Sequence, residues 1–220
     1  MAVKIKNIIF DLGGVILDID ENAALHELQK HGVKDLQLLQ SDAFKAIDSR
    51  FERGIISAAT FRQRMKTLFG LNKLSDADFD FIWNAVLLDI PHERSKALEE
   101  IKEHYNIFLM SNTNEIHYDL YVRDLQLRFG YKQFDDLFDK SYFSFDTHLL
   151  KPDPLFFEYI LDHQNLKPEE TLFIDDSEAN VLEAQKLGIH IFHIHRDELV
   201  RNFFQNGILR PDTELDLVRS

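Results

Sequence analysis

Short apolar runs and longer amphipathic segments alternate along the chain. The runs are KNIIF ahead of Asp11, NIFLM ahead of Ser111, TLFI ahead of Asp175, and IHIFHI at residues 189–194. Each is the length of a buried strand, and the intervening segments repeat their apolar residues at helical spacing, which predicts βαβ units on a parallel sheet. The fold class that follows is α/β, a doubly wound, Rossmann-like parallel sheet with helices on both faces.

The stretch between the first two runs is too long for one crossover. It reads as four helices, ENAALHELQKHG, SDAFKAIDSRF, SAATFRQRMKTLFG and SDADFDFIWNAVLL. Phe61, Met65, Leu68 and Phe69 mark one buried stripe, Ser57 and Ser75 are N-cap candidates, and Gly70 is a stop. The expected organisation is a core domain made of residues 1–17 and 92–220, with an α-helical cap domain, residues 18–91, inserted in it. Further on, PHERSKALEEIKEHY, KPDPLFFEYILDHQ, DSEANVLEAQKLG and DELVRNFFQNGIL each read as a helix, the last closing the fold.

Composition narrows the function classes. The 220 residues carry a formal net charge of −13 and no cysteine. Nothing basic enough to face a nucleic acid or an anionic membrane is present, and disulfides, thiolate metal sites and a catalytic thiol are excluded. There is no apolar span of membrane length and no secretory signal pattern at the N-terminus, so a cytoplasmic protein is expected.

The first run ends on a carboxylate, Asp11, followed by Leu12, Gly13 and Gly14. A charge at the tip of a buried strand is costly unless something pairs with it. Ligands of open α/β sheets bind beyond the carboxyl ends of the strands, so Asp11, Ser111 and Asp175 are expected to converge there. Gly13 and Gly14 permit a tight turn in which backbone N–H groups approach an anion. His193 and His195 alternate in a strand-like run with no third ligand nearby, and are read as structural.

FDLGGV, FLMSN, KPDP and FIDDSEAN, in this order and at these strand ends and helix starts, resemble the four motifs of the haloacid dehalogenase-like superfamily. The resemblance is to the subgroup with a helical cap after the first strand, and within it to α-glucose-1-phosphate phosphatase-like members. It implies an Mg²⁺-dependent hydrolase of a small phosphorylated metabolite, with no nucleic-acid or membrane partner. Asp11 would be the nucleophile that forms an aspartyl-phosphate, and Lys151 and Ser111 would assist. The metal would lie on Asp11, the Gly13 carbonyl and Asp176, with Asp175 binding through water. Leu12, Gly13, Ser111, Asn112 and Lys151 would hold the phosphoryl oxygens, and Glu52, Arg53 and Asp18 would reach the substrate from the cap side.

Three positions depart from the family pattern. Gly13 stands where phosphatases of the superfamily usually carry a second aspartate, the general acid; Asp18, His117 and His148 are the candidate substitutes. His148 replaces a small residue three positions before Lys151, and Asn180 replaces a frequent aspartate. Two rival readings follow, a catalytically silent relative that binds a phosphorylated ligand or partner, and a metal-independent dehalogenase.

Overall fold

The computed structural model describes residues 4–194, 202–211, 213 and 215. Five strands, β1 (Asn7–Phe10), β2 (Asn106–Ser111), β3 (Lys140–Phe143), β4 (Thr171–Asp175) and β5 (His190–His193), form one sheet in the order β3-β2-β1-β4-β5. Every neighbouring pair is parallel, with Phe10 opposite Leu109 on one side and Ile174 on the other. β1 is therefore central, and its end lies between the ends of β2 and β4.

Both faces are buried, which is why the strands read as continuous apolar runs. Ile8, Phe10, Ile107, Leu109, Leu172 and Ile174 point into one hydrophobic cluster, and Ile9, Phe108, Met110, Phe173 and Ile191 into the other. β3 is absent from the apolar pattern because it is an edge strand of sequence KSYF that starts on an exposed lysine.

α1 (Glu21–Lys30), α2 (Asp42–Glu52), α3 (Ala58–Leu68) and α4 (Asp76–Asn84) lie between β1 and α5 (His92–Lys102). Ser57 and Ser75 cap α3 and α4, accepting from Thr60 N and Asp78 N. These helices have their own core: Phe51 stacks on Phe61 with centroids 4.0 Å apart, and Trp83 meets Phe61 edge-on at 4.9 Å. The two chain crossings run side by side. Asp18 and Asp89 are joined through Asp18 N and the Asp89 carbonyl (2.9 Å), and Asp20 N donates to Val86 O (2.8 Å). Buried Arg94 of α5 braces this hinge, reaching Asp18 Oδ1 at 2.8 Å and Ile16 O at 3.2 Å.

The remaining helices are α6 (Glu115–Asp124), extended by a π turn over Leu125–Phe129, then α7 (Ser144–Thr147), α8 (Pro154–Gln164) and α9 (Glu178–Lys186). The expected last helix is corrected. Its described part is a hairpin of β6 (Phe204–Gln205) and β7 (Ile208–Leu209), joined by Asn206 and Gly207, both at positive φ. Asn-Gly is the preferred two-residue hairpin turn and overrides the helical periodicity of the flanks. The rest of that stretch, with His195, lies outside the described residues. No helix among the described residues is long and apolar enough to cross a membrane.

Inserted helices and sheet layer touch closely at Gly54, where φ is +62° and an added Cβ would lie 2.1 Å from the Phe145 carbonyl oxygen. Gly54→Ala should therefore lower stability by about 1–3 kcal/mol, from αL strain plus the backbone collision. Chemical denaturation checks this, and an unchanged midpoint would show that the seam is not tight there.

Candidate active site

The carboxyl edge of the sheet brings the charged residues together. Asp11 N donates to Ile174 O at 2.9 Å, which extends the β1–β4 ladder one residue and fixes Asp11 at the tip. Ser111 and Asp175 end the two flanking strands. Oxygen atoms of Asp11, Asp175 and Asp176 lie within 4.8 Å of one another.

Lys151 enters this acidic edge from the loop before α8. Asn112 holds the loop by reciprocal bonds, its Nδ2 donating to Lys151 O and its Oδ1 accepting from Lys151 N, both 2.9 Å. Lys151 Nζ then bridges Asp11 Oδ1 and Asp175 Oδ2 at 2.7 Å each. Burial disfavours its ammonium, but the two carboxylates outweigh that and raise its pKa, so the lysine stays charged. Burial also pushes the Asp11 carboxyl up to about 7, opposed by Lys151 and reinforced by Asp175 and Asp176. Among the described residues, Lys151 is the ammonium that bonds to this acidic edge.

Asp175 and Asp176 differ in burial and in what packs against them. Asp175 is fully buried and accepts from Ser177 N (2.8 Å), from Asn180 Nδ2 at both oxygens (3.0 Å), and from Lys151. Its acceptor capacity is used in holding the lysine. Asn180 fills that role with a neutral donor where an aspartate could only repel. Asp176 is partly exposed and closes against the loop after β1: a Cβ on Gly14, whose φ is +75°, would come within 2.2 Å of Asp176 Oδ2. Gly14 is thus required. Gly13 is not, because its φ lies outside the left-handed region and the nearest neighbour of an added Cβ would be Ile19 Cγ2 at 3.7 Å. His193 donates from Nε2 to the Asp176 carbonyl at 3.1 Å, a structural bond.

The donor set fits a hard divalent cation. Oxygen ligands from Asp11 and Asp176, with the Gly13 carbonyl, match the few carboxylates such an ion takes. Leu12 lies in that turn, its carbonyl accepting from Ile16 N and Leu17 N.

None of the three candidate replacement acids is free for that role. Asp18 is paired with Arg94 at the hinge. His148, at φ +62°, exchanges bonds with Arg53 across the seam: its Nδ1 lies 2.6 Å from Arg53 O, and Arg53 Nη1 donates to His148 O at 3.2 Å. The left-handed backbone explains why a small residue suits the position. His117 is held neutral, burial pushing its pKa down to about 3.

Glu52 ends α2 and makes no hydrogen bond or ion pair with any described residue. Burial, with the charge of Asp48 one turn earlier, pushes its pKa up to about 8, against the pull of Arg53. Tyr121 was not among the candidates, since a tyrosine in an amphipathic helix reads as core. Its hydroxyl bonds Thr113 Oγ1 at 3.2 Å and lies near both Asp11 and Glu52. Because the folded chain holds the Glu52 proton more tightly than the unfolded chain, stability is lost as pH rises from about 4.5 to about 8. Glu52→Gln should match the wild type near pH 4 and be the more stable by on the order of 1–3 kcal/mol at pH 9. Melting curves across pH measure this; a constant offset would mean that Glu52 is not desolvated.

Comparison with known proteins agrees with this geometry. The family model described as haloacid dehalogenase-like hydrolase matches residues 5–188. A D-ribitol-5-phosphate phosphatase of Bacteroides thetaiotaomicron is 30% identical over 189 residues, covering 86% of this chain and 91% of the relative. A sesquiterpene phosphatase of Aspergillus oryzae is 26% identical, covering 88% and 92%. Among solved structures, a haloacid dehalogenase-like enzyme of B. thetaiotaomicron in complex with magnesium and inorganic phosphate superposes with a TM-score of 0.83 at 32% identity, covering 91% of this chain and 100% of that one. The strand order, the acidic strand ends and these matches give one conclusion: the chain belongs to the haloacid dehalogenase-like hydrolase family.

Proposed function

We propose that this protein is an Mg²⁺-dependent phosphomonoester hydrolase acting on a small phosphorylated metabolite. The observation that carries the reading is the meeting of Asp11, Asp175, Asp176 and Lys151 at the ends of β1 and β4. The names of the relatives support the reaction class, and the magnesium and phosphate of the neighbouring structure support the cofactor.

Asp11 is the nucleophile in this reading. Its carboxylate oxygen attacks phosphorus, the bond from phosphorus to the ester oxygen breaks, and an aspartyl-phosphate remains until water attacks it. Magnesium held by Asp11, Asp176 and the Gly13 carbonyl would supply the positive charge that lets one anion approach another. Lys151 adds a fixed charge at the nucleophile, kept in place by Asp175, Asn180 and the Asn112 brace. Ser111 and the main-chain N–H groups of Leu12, Gly13 and Asn112 orient the phosphoryl oxygens.

The leaving oxygen takes its proton from solvent, since Gly13 brings no acid, Asp18 and His148 are paired, and His117 is held neutral. General acid help is worth roughly 10²–10⁴ in rate, so turnover of unactivated alkyl phosphates should be slow. Residues 18–91 act as the cap, with Glu52 and Arg53 on its substrate side and Asp18 at its hinge.

A panel of phosphate esters with Mg²⁺ tests the reading. Phosphate release should stop on chelation and return with added Mg²⁺. Asp11→Asn should cut turnover by more than about 10³-fold while the protein stays folded. Turnover retained by Asp11→Asn would remove Asp11 as the nucleophile; phosphate-ester binding without turnover in the metal-loaded wild type would favour a silent relative.

A further inference from the structure

Where α4 meets α6, Trp83 and His117 stack with ring planes 6° apart and centroids 5.7 Å apart. His117 Nδ1 lies 2.8 Å from Asn84 Oδ1. An amide oxygen only accepts, so Nδ1 carries the ring hydrogen and Nε2 presents a lone pair. No described residue bonds that nitrogen. Trp83 is its complement: its Nε1–H is buried and has no hydrogen-bond partner among the described residues. An unpaired buried donor is costly, and the ring stacked on Trp83 carries an acceptor that no described residue bonds.

α6 connects this pair to the reacting centre. Tyr121 lies one turn beyond His117 on the same face, with ring centroids 6.2 Å apart. Burial raises the pKa of its hydroxyl, and the charges of Asp11 and Glu52 raise it further, so both carboxylates are near. Ile116, beside His117, is part of the inserted helices' own core, which ties α6 to both layers.

We propose that the Trp83–His117 pair is a specificity determinant for the non-phosphate part of the substrate, an uncharged hydroxyl-bearing carbon skeleton whose O–H donates to His117 Nε2 and whose oxygen accepts from Trp83 Nε1. A hydroxyl is donor and acceptor at once. A carboxylate would set its lone pairs against that of Nε2, and an ammonium group would find no counter-charge in the pair. His117 is neutral across the working pH range, so the acceptor does not switch to a donor. The assignment rests on the phosphatase reading, and it names the class of phosphate ester that this site prefers.

Binding rather than turnover tests it. Calorimetry with Asp11→Asn protein and Mg²⁺ would compare D-ribitol 5-phosphate with phenyl phosphate, which has no hydroxyl on its skeleton. Adding His117→Phe keeps a ring against Trp83 and should weaken the polyol phosphate roughly tenfold, leaving phenyl phosphate within about twofold. His117→Gln, which retains an acceptor, should recover part of the loss, and Trp83→Phe supplies an independent second variant. Equal losses for both ligands, no loss for either, or no measurable binding of the polyol phosphate would overturn the proposal. An ordered water as the pair's occupant would give one of the first two results. A protein that shows the selective loss and yet hydrolyses nothing would sink the phosphatase reading alone.

Discussion

One ammonium group determines how the acidic edge of this sheet can exist. Lys151 Nζ sits 2.7 Å from both Asp11 and Asp175, almost wholly out of water. Removing one member of a buried charged set leaves the others uncompensated, at a cost of several kcal/mol. The surrounding chain is arranged to prevent that. Asn112 fixes the lysine's backbone from both sides, and Ser177 N with Asn180 Nδ2 saturates the far carboxylate. Asp175 therefore holds the lysine, while Asp11 and the partly exposed Asp176 present oxygens at the same edge. In the proposed reaction this asymmetry would direct the cation to Asp11 and Asp176.

The inserted helices meet this centre across a seam built from short, specific contacts. Gly54 against Phe145, Arg53 with His148, and Trp83 with His117 all join an inserted helix to the layer that carries the reacting groups. Arg94 and Asp18 brace the crossings at the other end. Asp18 and His148 are thus spent on assembly and His117 is held neutral, so none of these three replaces the acid missing at Gly13.

Much of this was legible in the residues. Parallel strands buried on both faces produce unbroken apolar runs, so β1, β2, β4 and β5 stood out, and so did the polar residues at their tips. β3 did not, because KSYF is short, begins with two polar residues and has no apolar run. The C-terminal hairpin was hidden by phenylalanines and leucines at helical spacing, although Asn206-Gly207 marked the turn. Within the site, residue type and order were enough to gather Asp11, Ser111, Lys151, Asp175 and Asp176. The resemblance separated the paired acids, with Asp176 on the metal and Asp175 behind a water, but the bond from Lys151 to Asp175 depends on burial and on who donates to whom. Residue type and order could not show that Gly14, not Gly13, is demanded by packing, since only the approach of Asp176 decides it. Tyr121 was indistinguishable from a core residue until α6 was placed between two layers.

The central claim is that the lysine bridge leaves one cation position between Asp11 and Asp176. Anomalous scattering from a crystal soaked with Mn²⁺ and phosphate addresses it directly. The account predicts one peak at direct-ligation distance from both carboxylates, with Lys151 still joined to Asp175. A peak that displaces the lysine, or that avoids Asp176 in favour of Asp175, would contradict it.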